Sequence, residues 1–270
     1  MKDDRLCTCG SGLAYGACCG RVVKEDDPIR DIRLSAYAGE IGSRRAEFCR
    51  SYTFHKREAL AEISARLSRE AQAAGNTLSC HQGCASCCYV YVVASLQECE
   101  AIVYYLYQHP SVLQHFQGTF QTWRVGITKI QDTFADISRL QQKRLSRTDT
   151  SEDKQEFDKA LITYTQQNLP CPFLKDGSCL IYEVRPYACA GLVSTTPADW
   201  CAAGHLHHHE IRLLKANTNL DGDPPYFANP TNPVSLASMP ALVYEILYYG
   251  WDFLVRVPGC AHLNDKLSAI

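Results

Sequence analysis

Apolar positions recur along most of this chain at the three-and-four spacing of an amphipathic helix. Leu96, Cys99, Ile102, Val103 and Leu106 form one such stripe, which stops at Pro110. It opens on "SLQE" at 95–98, a capping box with Ser95 as N-cap and Glu98 three residues on. Phe157, Ala160, Leu161 and Tyr164 form another stripe over 152–168. Residues 112–146 carry further helix, with interruptions predicted near Gly118 and Gly126. The stretch 30–74 predicts two helical segments joined near Ser51–Thr53 and ended by Gly75-Asn76. A last helix starts near Ser238, with Pro240 in its first turn and Leu242, Ile246, Tyr249 and Phe253 on one face. "YVYVV" at 89–93 predicts a short buried strand, "HLHHHEIRLLK" a helix, and 221–233 a Pro/Asn-rich loop. The fold class expected is mainly α with a few short strands. No G-x-G-x-x-G in a strand–helix setting and no Walker A sequence announces a nucleotide-binding sheet.

Composition narrows the function classes. At 270 residues and 46% hydrophobic, the chain can bury a full core and carry a small appendage. A net charge of −2 gives no polybasic signal, which argues against a nucleic-acid partner. Its apolar runs are too short to cross a bilayer, and the first residues, "MKDDRLCTCG", lack an apolar signal-peptide core. The expected location is the cytoplasm. Between Ser43 and Glu70, seven basic residues face four acidic ones, which predicts a solvated helix face. The outlier is cysteine: fifteen, an odd number. In a reducing compartment, dense cysteine patterns favour metal binding or catalysis over a disulfide framework.

Two groups of cysteines organise the chain. The first is "CTCGSGLAYGACCG" at 7–20, where Cys7, Cys9, Cys18 and Cys19 surround a glycine-rich turn. Four thiolates satisfy tetrahedral zinc, and so short a segment has almost no core of its own. The stretch resembles the SEC-C zinc-binding motif through Cys7, Cys9, Gly10, Ser11, Gly12, Tyr15, Cys18, Cys19 and Gly20. That resemblance implies zinc and leaves room for a protein partner at this module. Residues 1–22 are expected to form it, 23–78 a helical linker region, and 79–270 a cysteine-cluster metal-binding domain.

The second group begins with "SCHQGCASCCYV" at 79–90, which holds Cys80, Cys84, Cys87 and Cys88. Cys171, Cys179, Cys189 and Cys201 follow a long helical insert. One tetrahedral zinc or one iron–sulfur cluster takes four thiolates, so eight serve two sites, or one site plus non-ligand thiols. Arg185 is placed either to pair with Glu183 or to offset thiolate charge, and Tyr182 and Tyr187 to donate hydrogen bonds toward sulfur. These blocks resemble the YkgJ-type cysteine-cluster family, described as a zinc- or iron-chelating domain. The resemblance rests on Cys80-x3-Cys84-x2-Cys87-Cys88, "CPFL" from Cys171, Gly177-x-Cys179 and "IYEVRPYAC" from Ile181 to Cys189. Related proteins include a flagellin lysine methylase taken to use S-adenosylmethionine.

Two functions follow. The favoured one is a metal-binding protein, with zinc at the N-terminal module and an iron–sulfur cluster or zinc at the second site. The alternative is an enzyme on the same metal site, either an iron–sulfur oxidoreductase or an S-adenosylmethionine-dependent protein lysine methyltransferase. His205, His207, His208 and His209 read mainly as a polar surface, though His205 and His209 would share a face if helical. Cys99 lies on an apolar stripe and reads as core, while Cys49 and Cys260 stand apart from the groups.

Overall fold

A computed structural model describes residues 39–145, 147–202, 204–216 and 236–249. The N-terminal cysteines Cys7, Cys9, Cys18 and Cys19, the loop at 221–233, Phe253 and Cys260 lie outside the described residues. The architecture is mainly helical, as the periodicity predicts. Long helices are α1 (Gly39–Ala73), α2 (Leu96–Gln108), α3 (Pro110–Thr128), α4 (Gln131–Leu145) and α5 (Ser151–Gln166). A one-turn α6 (Tyr187–Ala190) and α7 (Met239–Tyr249) are the other helices among the described residues. Among the described residues, six short strands form three antiparallel pairs: β1 (Val93–Ser95) with β6 (Leu236–Ser238), β2 (Leu174–Lys175) with β3 (Ser178–Cys179), and β4 (Leu192–Ser194) with β5 (Leu213–Lys215). No described helix is long and apolar enough to cross a membrane.

The core is built around α2. Leu96, Cys99, Ile102, Val103 and Leu106 are all buried, together with Cys49 and Tyr52 of α1 and Leu242, Val243 and Ile246 of α7. Burying each large aliphatic chain contributes about 1.5–3 kcal/mol. Phe120 stacks on Tyr244 at 4.4 Å, tying α3 to α7, and Phe116 stacks on Phe173 at 4.6 Å. Phe173 therefore anchors the segment after Cys171 to the core. Thr119 Oγ1 donates to the Pro172 carbonyl at 2.7 Å, and a ring nitrogen of His115 lies 3.1 Å from the Leu174 carbonyl. The face of α3 thus clasps the backbone of "CPFL" from one side.

Several boundaries differ from the sequence reading. α1 runs unbroken through Ser51–Thr53, because Tyr52 and Lys56 bury the face that a break would expose. It ends as predicted: Gly75 takes φ +71°, and Asn76 N–H closes on the Ala71 carbonyl at 2.8 Å. α3 continues through Gly118 and Gly126, and the break falls at 129–130. A Cβ at Gly126 would strike the Leu169 side chain, so the glycine permits close packing rather than ending the helix. The strand expected at 89–93 begins at Val93, since Ser86–Tyr89 make a 3-10 turn. Residues 208–215 are a 3-10 turn and then β5, not helix.

The basic stretch on α1 is not wholly solvated. Lys56 is 2% exposed and Glu98 4%. The Lys56 ammonium lies 3.2 Å from Glu98 Oε1, donates to the Val184 carbonyl at 3.3 Å, and lies over the Tyr187 ring at 5.1 Å. Glu98 also completes the predicted capping box: its Oε2 accepts from Ser95 N–H at 2.7 Å, while Ser95 Oγ accepts from Glu98 N–H at 3.2 Å. Its Oε1 takes a further hydrogen bond from Tyr187 N–H at 2.7 Å. One carboxylate thus joins α1, α2 and α6.

Two predictions follow from these charges. Lys56→Met leaves a buried carboxylate without its cation and should lower unfolding free energy by about 3 kcal/mol or more, read from the urea midpoint. Adding Glu98→Gln should recover part of that loss, and a single-variant change below about 1 kcal/mol would refute a buried ion pair. At the start of α5, Asp153 is held at about 2 by the Lys143 ammonium at 2.5 Å and then by Thr150 N–H. A folded pKa below the unfolded one means the stabilisation is complete above about pH 4 and fades as pH falls toward 2. Thermal melts of Asp153→Asn should therefore fall below wild type at pH 6 and converge with it near pH 2.

Candidate metal centre

All eight cysteines of the second group lie among the described residues, and all are free thiols. The fold brings the two sequence blocks together. Cys171 N–H donates to the Cys88 carbonyl at 2.7 Å, and Ser194 N–H donates to Cys80 Sγ at 3.1 Å. The 3-10 turn at Ser86–Tyr89 packs on that at Ala198–Cys201. Ser79 N–H bonds the Ser194 carbonyl at 2.9 Å, and its hydroxyl bonds the Thr196 carbonyl, fixing the start of the cysteine loop to β4.

Local sequence explains each placement. Asp176 (φ +48°) and Gly177 (φ +74°) make a tight turn between β2 and β3, setting Leu174 opposite Cys179. That hairpin carries Cys179 back toward Cys171. Pro186 leads directly into α6, which presents Cys189. Cys80, Cys84 and Cys201 enter from the loops beside β4.

Hydrogen-bond donors are aimed at sulfur. The backbone amides of Phe173 and Ile181 oppose the effect of burial on the Cys171 and Cys179 thiols. Ser194 serves Cys80 through its N–H, while its hydroxyl donates to the Thr196 carbonyl at 2.9 Å. Ser194 was not singled out by the sequence, because a backbone donor leaves no residue-type signal.

Arg185 resolves the choice posed by its sequence. Glu183 pairs instead with Arg57 of α1, at 2.6 Å. The Arg185 guanidinium lies over the Tyr182 ring at 3.6 Å and exerts its charge on both Cys87 and Cys179. Tyr182 therefore supports the cation with its ring face. Tyr187 is buried beneath the Lys56 ammonium.

Burial and hydrogen bonding pull these thiols in opposite directions. Burial pushes Cys171 up to about 12 against the Phe173 amide, and raises Cys80, Cys179, Cys189 and Cys201 too. Cys88 is raised chiefly because its thiol donates to Cys87, with burial adding. Cys87 is exposed and falls to about 7, first through that same hydrogen bond and then through Arg185, against partial burial of its sulfur. Dry surroundings favour neutral thiols, while the N–H groups and the guanidinium favour thiolates. A thiophilic cation tips that balance, because it stabilises every neighbouring anion at once. The donor chemistry fits such an ion. Among the described residues, no three His, Cys, Asp or Glu side chains stand at metal-holding separations, so the thiols share a neighbourhood without closing a cage.

The histidines do not share a helix face. His207 stacks on Trp200 at 4.7 Å and its Nδ1 lies 2.9 Å from Glu210 Oε1, which folds the segment into a turn. His205 pairs with Asp199 at 3.6 Å, His208 Nδ1 lies 3.1 Å from the Trp200 carbonyl, and His209 is exposed. Cys49 and Cys99 are buried in the core, away from the group.

The thiols should differ in reactivity when metal-free. At pH 7 a thiol of pKa about 7 is half ionised, against about 1% for one near 9. Its lower nucleophilicity trims that advantage to about fivefold. Mapped iodoacetamide labelling should therefore find Cys87 modified first, with a rate half-maximal near pH 7. Equal labelling of Cys87 and Cys171 would contradict this arrangement.

Comparison with known proteins places one segment. Residues 6–21 match the SEC-C motif, a cysteine-rich motif of metal-binding type. No curated protein and no solved structure matches the chain.

Proposed function

We propose that this chain is a metal-binding protein that works through cysteine thiolates at two places. Cys7, Cys9, Cys18 and Cys19 hold zinc in the SEC-C module. The second site draws its ligands from Cys80, Cys84, Cys87, Cys88, Cys171, Cys179, Cys189 and Cys201, and takes an iron–sulfur cluster or zinc, in keeping with the YkgJ-type resemblance. The observation that carries this reading is the meeting of the two cysteine blocks with donors facing sulfur: Cys171 N–H closes on the Cys88 carbonyl, Ser194 N–H donates to Cys80 Sγ, and the Arg185 guanidinium acts on Cys87 and Cys179. Neutral thiols are weak acceptors and need no such shell, whereas metal-bound thiolates are held and tuned by one. A bound ion would cross-link loops that are otherwise joined by few strand hydrogen bonds. The protein's own part is to hold the hairpin at 174–179 on the core and to keep cation and amides facing sulfur.

The test is anaerobic purification of the full chain, followed by elemental analysis and an absorption spectrum. Stoichiometric iron with a broad visible band, or colourless protein with stoichiometric zinc, is the expected result. Cys171→Ala should lower the metal content. Folded protein that carries neither iron nor zinc would end the proposal.

A further inference from the structure

Val184 and Tyr187 stand at the spacing where a carbonyl and an amide close a β-turn on each other. They do not close it. Arg185 (φ −57°, ψ 150°) and Pro186 (φ −56°, ψ 151°) are extended between them. Pro186 would be the third residue of such a turn, where its fixed negative φ disfavours type I and excludes type II. Both backbone groups are satisfied through a buried ion pair instead. The Lys56 ammonium donates to the Val184 carbonyl at 3.3 Å, Glu98 Oε1 accepts from Tyr187 N–H at 2.7 Å, and ammonium and carboxylate lie 3.2 Å apart. The pair thus spans the turn that proline keeps open. With Lys56 2% and Glu98 4% exposed, bulk water cannot stand in for either member.

The chain on both sides of this bridge leads to the sulfur group. Upstream, the 3-10 turn at Tyr182–Val184 follows the hairpin that ends in Cys179, and the Tyr182 ring lies against the Arg185 guanidinium at 3.6 Å. Downstream, Cys189 N–H returns to the Pro186 carbonyl at 3.0 Å and Gly191 N–H to the Tyr187 carbonyl at 2.7 Å, so Cys189 is wound directly onto the bridged residues. α6 packs in turn on β4, whose Ser194 N–H donates to Cys80 Sγ. Resting on the thiolate reading above, we propose that Lys56 and Glu98 are positioning residues of the second metal site: their ion pair holds Val184 and Tyr187 apart and so sets Arg185 and Cys189 in place before any metal binds. Removing either member orphans one backbone group and leaves the other charge unpaired in a dry setting. The segment must then move to find partners, and Cys189 moves with it.

The test uses the full-length chain carrying Cys7→Ser and Cys9→Ser, prepared without oxygen and loaded with zinc alone, so that zinc release to a chelator reports the second group. Lys56→Met and Glu98→Gln should each release zinc about tenfold faster than this parent. The double variant should be no faster than the faster single one, because the two residues act as one unit. Ile137→Ala, a fully buried change in α4 that also lowers stability, should release zinc at the parent rate. Parent rates in both single variants, equal acceleration by Ile137→Ala, or effects that multiply in the double variant would overturn the positioning role while leaving thiolate binding intact. A parent that holds no zinc would overturn both readings. Because either charge variant can unfold the chain, the parent supplies a second measurement, hydrogen exchange after its zinc is stripped. Amides of 187–191 should stay at least about tenfold more protected than those of 79–88. Equal exchange in the two segments would mean that the metal, not the ion pair, sets α6, and would overturn the proposal.

Discussion

The Glu98 carboxylate accepts from three directions: the Ser95 amide, the Tyr187 amide and the Lys56 ammonium. Each donor belongs to a different part of the chain, and none of the three parts reaches the others by strand pairing. Burying both charges costs several kcal/mol per ion before any attraction is counted. The pair is therefore weak as a source of net stability and strong as a constraint, because separating its members leaves an unpaired buried charge. That constraint fixes where α6 begins. Cys189 lies two residues beyond Tyr187, so the same carboxylate sets the position of one sulfur of the candidate centre.

The other sulfurs are placed by ordinary packing. Phe173 is fully buried against Phe116, and its carbonyl accepts from Leu180 N–H at 2.9 Å. One buried ring thus holds the segment from Cys171 to Cys179 on the core. α3 reinforces this through Thr119 and His115, which hold the backbone of Pro172 and Leu174. Cys171 and Cys179 consequently sit against the hydrophobic core. Cys80 depends on β4 through the Ser194 amide, and Cys201 on the turn at Ala198–Cys201.

What the sequence discloses follows from the range of each interaction. The capping box at Ser95 and Glu98 is legible because both hydrogen bonds close within four residues. The second and third duties of Glu98 are not, since Tyr187 and Lys56 lie far away in the chain. Lys56 itself is hidden among basic neighbours on α1, and only the packed helix distinguishes it from Arg57, which stays at the surface. "YVYVV" looks like a strand by composition, but the preceding cysteines spend Ser86–Tyr89 on a tight turn and delay β1 to Val93. Gly126 reads as a breaker because glycine is costly in a helix, yet its missing Cβ is what admits Leu169. Spacing marks out the second cysteine group, and the fold brings its two blocks together at Cys88 and Cys171. How the two blocks meet depends on Ser194 and on the hairpin register, which no spacing encodes.

Charge allocation along "YEVRPY" shows how these levels meet. Glu183 and Arg185 stand two residues apart and would neutralise each other if left to local sequence. Instead Arg57 of α1 takes Glu183 at the surface, an exposed pair that by itself is worth at most about 1 kcal/mol. Its larger consequence is to leave Arg185 for the sulfur side, where Tyr182 holds the guanidinium flat against its ring. Lys56 cannot take that place, because Glu98 holds its charge beneath the cluster. α1 thus acts twice on the centre it never enters: one of its cations secures α6, and the next occupies the carboxylate that would otherwise hold Arg185. Thiolates drawn together by a metal carry excess negative charge, and a centre so charged is stable in a dry setting only if a cation is already facing it. The structure has that cation in place through contacts made entirely outside the sulfur group.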